Sequence, residues 1–125
     1  MKPPIFELCS ADTTLQGLLS DDLGRFQLYP FGEAPQLGAK PYAVWQLVGG
    51  GPENYISNVP DIDQVTVLVD TYAKEASMAR EVSAALVAAI ESVAHVVRHN
   101  GEWRDPETRA YRCSFTVDWF VERTQ

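Results

Sequence analysis

Between Gln64 and Val93 the hydrophobic pattern changes period once, and that change separates the clearest strand of the chain from its clearest helix. Val65, Val67 and Val69 alternate with Thr66, Leu68 and Asp70, the period-2 pattern of a strand with one buried face. From Ala76 onward Met78, Val82, Ala85, Leu86, Ala89, Ile90 and Val93 recur at three- and four-residue steps. They fall on one stripe of an α-helix that can lie across a sheet. A second inward face comes from Tyr111, Cys113, Phe115, Val117, Trp119 and Val121, which alternate with Arg112, Ser114, Thr116, Asp118 and outward-pointing Glu122. These runs predict an α+β fold: an antiparallel sheet of about four to five strands with helices packed on one face.

The remaining segments are shorter. Pro3 and Pro4 suit the first turn of a helix that continues through Ile5, Phe6, Leu8 and Cys9. Asp12 reads as a cap, and Leu15, Leu18 and Leu19 behind it predict a second short helix or a new turn of the first. Arg25 to Tyr29 is a strand candidate stopped by Pro30, and Phe31 to Lys40 is a loop. Tyr42 to Val48, with Trp45 inside it, is β-prone, and Gly49-Gly50-Gly51-Pro52 is expected to break it as a flexible turn. A second loop follows from Glu53 to Pro60, where Tyr55 and Ile56 are the bulky apolar groups. Ala94 to Arg104 starts as a strand. Asp105-Pro106 matches the first two positions of a type I turn, so the hairpin belongs there and Gly101 reads as a bulge. With no repeat, linker or low-complexity segment, residues 1–125 are expected to form a single domain.

Composition narrows the function classes. With 46% hydrophobic and 22% charged residues the chain is globular in character, and a chain of 125 residues buries roughly two-thirds of its unfolded surface. No apolar run is long enough to span a bilayer, and Met1 to Ser10 lacks the basic-then-apolar order of a secretion signal. The expected compartment is the cytosol, with no membrane association. Seventeen acids against ten Lys and Arg give a net charge of -7, which argues against specific nucleic-acid binding, since phosphate contacts need a basic face. Cys9 and Cys113 read as small buried hydrophobes rather than a disulfide.

Candidate chemistry is sparse. His95 and His99 are four apart, but in a strand that spacing separates them by roughly 13 Å, and a zinc site borrowing Cys113 or Glu102 has no supporting motif. The triple glycine lacks the Lys-Ser/Thr pair and helix start of a phosphate loop. The carboxylate pairs Asp21/Asp22 and Asp61/Asp63 sit in loop or strand-edge contexts that suit solvated charge. No catalytic, cofactor-binding or metal-binding residues are expected. Trp103, with Arg98, Arg104, Arg109 and Arg112 around it, reads either as a polar-aromatic patch for another protein or as cover for the sheet end. On the long helix, Ala79, Ser83, Ala84, Val87 and Ala88 make a small, nearly uncharged back. That back is covered either by the N-terminal helix or by a second subunit.

The order of several short segments adds a resemblance. Pro4-Ile5-Phe6, Ala11-Asp12, Leu15 to Leu19, Tyr29-Pro30, Ala34-Pro35-Gln36 and Pro41 to Gln46 are similar to the first half of the tail-completion or head-to-tail joining proteins of long-tailed bacteriophages and prophages. Val65 to Ala73 with its alanine-rich helix, Asp105 to Thr108, Tyr111-Arg112 and Phe115 to Phe120 resemble the second half. The resemblance implies a non-enzymatic virion protein with no cofactor, assembled as a ring, often a hexamer, on the head-proximal end of the tail tube. Its implied partners are other copies of itself, the tail tube protein and the head-completion or connector protein, with DNA passing through the ring. Phe31, Tyr55, Ile56, Trp103, Arg104 and Arg109 are the candidate interface residues. The competing readings are a small-ligand or metal-binding domain with Trp45, His95, His99 and Cys113 near one pocket, and a non-viral dimeric adaptor.

Overall fold

A computed structural model of the chain describes residues 3–35, 41–52 and 62–122. The loop from Glu53 to Pro60, with Tyr55 and Ile56, and the second half of the Phe31 to Lys40 loop lie outside the described residues. Two short helices, α1 (Ile5–Ser10) and α2 (Thr13–Leu19), precede a three-residue strand, β1 (Leu28–Pro30). Two long strands follow, β2 (Tyr42–Pro52) and β3 (Ile62–Ala73), then α3 (Ala76–Ile90), β4 (His95–Arg104) and β5 (Tyr111–Glu122). The five strands make one sheet in the order β1-β2-β3-β5-β4. The expected α+β architecture is observed, with one parallel pair: β1 runs parallel to β2, and the other neighbours are antiparallel.

The alternation sorts the sheet into two faces. Ala43, Trp45, Val65, Val67, Val69, Phe115, Val117 and Trp119 are buried in one cluster with Ile5, Leu15, Leu19, Val82, Leu86 and Ile90, so all three helices pack on the same side. α2 starts where Asp12 accepts a hydrogen bond from the Leu15 N–H at 3.0 Å, which satisfies one of the donors left open at a helix start. Asp12→Ala should lower stability by about 1 kcal/mol. Urea titration checks this, and an unchanged midpoint would mean that α2 is held by its buried leucines alone.

Four expectations need correction. The triple glycine does not end β2 as a flexible turn; the strand continues through Gly49, Gly50 and Gly51 to Pro52, after a bulge at Val48. Gly50 lies against β3 so closely that a Cβ there would come within 2.8 Å of the Gln64 carbonyl oxygen, so the glycine admits close pairing. Val93 lies past the end of α3 and is 57% exposed, because the helix stops at Ile90 and a turn begins. The short strand is centred later than Arg25 to Tyr29, and Pro30, lacking a donor, is its last residue on a sheet edge. The bulge expected at Gly101 falls one residue earlier, at Asn100, while Gly101 pairs with Ser114; a second bulge lies at Val97.

Candidate functional site

Among the described residues, no element covers the face of the sheet opposite the helices, and at one end of that face the register aligns four side chains in a row. Tyr42 pairs with Tyr72, Tyr72 with Arg112, and Arg112 with Trp103, so the row crosses β2, β3, β5 and β4. The tyrosine rings stack with centroids 4.9 Å apart. The Arg112 guanidinium lies 4.6 Å from the Trp103 ring centroid and 5.7 Å from that of Tyr72, within range of cation–π attraction to both. Below the row Arg112 Nη2 donates to Asp70 Oδ2 at 3.0 Å. Among the described residues Asp70 Oδ1 and Arg112 Nε are buried without a hydrogen-bond partner, so within them this charge pair is only partly satisfied. Burial is the main cause that raises the phenol pKa of Tyr42 and Tyr72, which keeps both rings neutral beside the pair.

The hairpin that follows Trp103 is built by Asp105. Its Oδ1 accepts from the N–H groups of Glu107 and Thr108, and its backbone carbonyl accepts from the Arg109 N–H. The backbone hydrogen bond from Glu107, then that from Thr108, lowers its pKa. Arg109 closes the turn with φ at 62°. Arg104 stands over the Tyr111 ring at 5.1 Å, and its Nε donates to the Arg109 carbonyl oxygen at 3.1 Å. Trp103 pairs with outward Arg112 and Arg104 with inward Tyr111, so the two neighbours point to opposite faces. Phe31 lies far from them, just beyond β1 on the other edge of the sheet.

On the helix side, α3 and β4 stand apart and leave a groove of about 430 Å³, lined by Ser83, Ala84, Val87 and Ala88 from the helix and by His99 and Gly101 from the strand. No residue of α1 or α2 lines it, so the N-terminal helices do not cover the back of α3. Arg80 spans one end, with Nε and Nη2 donating to the two carboxylate oxygens of Glu102 at 2.8 and 2.9 Å. These bonds lower the Glu102 pKa and raise that of Arg80. A depressed carboxylate stabilises the fold above its unfolded pKa, and that contribution is lost as pH falls through the folded value. Solvent exposure of both groups keeps the effect small.

The other candidates disperse. Asp21, from the first carboxylate pair, accepts from the N–H groups of Leu23 and Arg25 and from Arg25 Nε, so it holds the turn between α2 and β1. His95 pairs with outward Asp118 and His99 with inward Phe115, because the Val97 bulge shifts the alternation between them. Of Trp45, His95, His99 and Cys113, only His99 and Cys113 line the same groove, and Trp45 is buried in the core. Both cysteines are free, and burial pushes the Cys9 thiol up to about 12. Among the described residues no group of three His, Cys, Asp and Glu is placed to hold a metal ion, and no helix is long and apolar enough to cross a membrane. The arrangement is one of exposed surfaces and not of converging chemical groups. The sequence grouped Trp103 with Arg112, but the tyrosine half of the row, Tyr42 and Tyr72, was missed because its members sit on other strands; the signal was a Tyr near one end of β2 and of β3.

Comparison with known proteins places these surfaces in context. The model of a family described as Tail completion protein gp17 matches residues 3–122. Among solved structures, a chain from the "Virion of native gene transfer agent (GTA) particle" is similar with a TM-score of 0.65 and 15% identity, over 94% of this chain and 91% of that one. That likeness shows a shared fold. The comparison with curated proteins gave no match.

Proposed function

Because the chain belongs to the family of tail completion protein gp17, a family of structural tail proteins of phage-like particles, we propose that it acts as a ring at the head-proximal end of a tail tube. The ring ends tube growth, joins the tail to the head, or does both. The observation that carries this reading is the family match over nearly the whole chain, residues 3–122. Two features of the molecule support assembly. The sheet has an uncovered face with an aromatic–arginine row, and the helix layer leaves an open groove at β4. Aromatic residues and arginine are the types that dominate protein–protein interfaces. The partners in this reading are further copies of the chain, the tail tube protein and the head connector or head-completion protein. The net charge of -7 would repel DNA passing through the ring rather than retain it.

The experiment is electron microscopy of particles from a phage or prophage lacking this gene. Overlong or irregular tails are expected if the protein ends the tube, and normal free tails beside DNA-filled heads if it joins the two. Intact infectious virions would remove both roles.

A further inference from the structure

The two edges of the sheet are unlike each other, and they match. At the β1 edge, Leu23 and Phe31 stand in the turns on either side of the strand and are 76% and 71% exposed. At the β4 edge lies the groove floored by Ala84, Val87 and Ala88 beside His99. One transverse row of the sheet connects the two places, since Pro30 pairs with Trp45, Trp45 with Val69, Val69 with Phe115, and Phe115 with His99. Phe31, which follows Pro30, is therefore level with the groove. A second copy set beside the first, along the direction in which strands add, brings its Phe31 to that groove without a shift along the strands.

Charge agrees with this placement. Residues 3–35, which form the β1 flank, carry Glu7, Asp12, Asp21, Asp22 and Glu33 against Arg25. β4 carries Arg98 and Arg104 against Glu102, together with His95 and His99, and α3 and the turn after it add Arg80 and Glu91 to the groove lining, so the two acids of this flank stand against three arginines. An acidic flank with apolar knobs thus faces a more basic flank with an apolar groove, whereas two like flanks would repel each other. We infer that the β1 flank of one copy docks into the α3–β4 groove of the next, with Leu23 and Phe31 as the inserted side chains. A contact between unlike surfaces repeats head to tail and closes into a ring when the rotation per step allows it. The inference rests on the ring proposed above and names its subunit contact.

The test uses the full chain with Ala88→Glu to fill the groove and a Leu23→Glu/Phe31→Glu variant to blunt the knobs. All three positions are exposed, so thermal melts should stay near the wild-type value. Oligomers are read by native mass spectrometry, and copies per tail by quantitative mass spectrometry of particles. Each variant alone is expected to be monomeric and about tenfold or more depleted from tails. Mixing the two should give a 1:1 dimer that stops there, since the groove-filled variant keeps its knobs and the knob-blunted variant keeps its groove. Variants that enter tails at the wild-type copy number would overturn the interface and leave the ring standing. A single copy of the wild-type protein per tail would overturn the ring, and the interface with it.

Discussion

Replacing Phe115 with alanine should cost about 3–5 kcal/mol, a large share of the roughly 5–15 kcal/mol by which a domain is stable. Phe115 is completely buried at the middle of β5, between Val69 on one neighbour and His99 on the other. Truncation removes a large apolar side chain and leaves a cavity under α3 that the paired strands cannot close, because their hydrogen bonds hold them apart at a set spacing. Phe120→Ala is the control. Five residues along the same strand, Phe120 is 55% exposed, and its truncation should cost about 1 kcal/mol or less. Urea denaturation of both variants checks the contrast. Equal losses would mean that Phe120 is covered in the isolated protein, and near-wild-type stability of Phe115→Ala would mean that the sheet does not pack under the helix as described.

The second large effect concerns Arg112. Arg112→Ala should cost about 2–3 kcal/mol, less than the 3–5 kcal/mol typical of a fully buried pair because the arginine side chain is 28% exposed. Three interactions go at once: the charge partner of Asp70, the cation under Trp103, and the cation beside Tyr72. Most of the loss is the cost of an unpaired Asp70 carboxylate, whose side chain is only 10% exposed. A paired Asp70→Leu/Arg112→Leu variant should therefore recover most of the stability, since two apolar groups leave no buried charge behind. Thermal melts of the single and double variants check this. If the double variant falls as far below the wild type as Arg112→Ala does, the ion pair stabilises the sheet outright. Because the row lies on the uncovered face, the same double variant also tests assembly: a folded protein that fails to enter tails would assign the row to a partner contact.

Several local features were legible because a short stretch of chain decides them. The valine alternation of β3 and the helical stripe of α3 depend only on the two backbone periods. Asp12 and Asp105 act within four residues of themselves, one as a helix cap and one as the organiser of a turn. The placement of that turn also called for a bulge at Gly101, and the register puts it one residue away, at Asn100. Gly49 to Gly51 misled for the opposite reason. Glycine's local meaning is a break, and only the neighbouring strand shows that Gly50 is needed for close approach.

By itself the sequence determined the α+β class, the face that each long strand buries, the two free buried cysteines and an acidic surface, since alternation and composition act residue by residue. It also carried the order of segments that marks the tail-completion family. Tertiary structure alone decided how the strands are ordered, and hence which side chains meet. Putting β5 between β3 and β4 aligns Tyr72, Arg112 and Trp103, and makes β1 and β4 the two edges. It also leaves the small back of α3 as an open groove rather than a seat for the N-terminal helices. These contacts join residues dozens of positions apart, and no local period encodes them; they follow from which pairing of strands buries the most apolar surface under three helices.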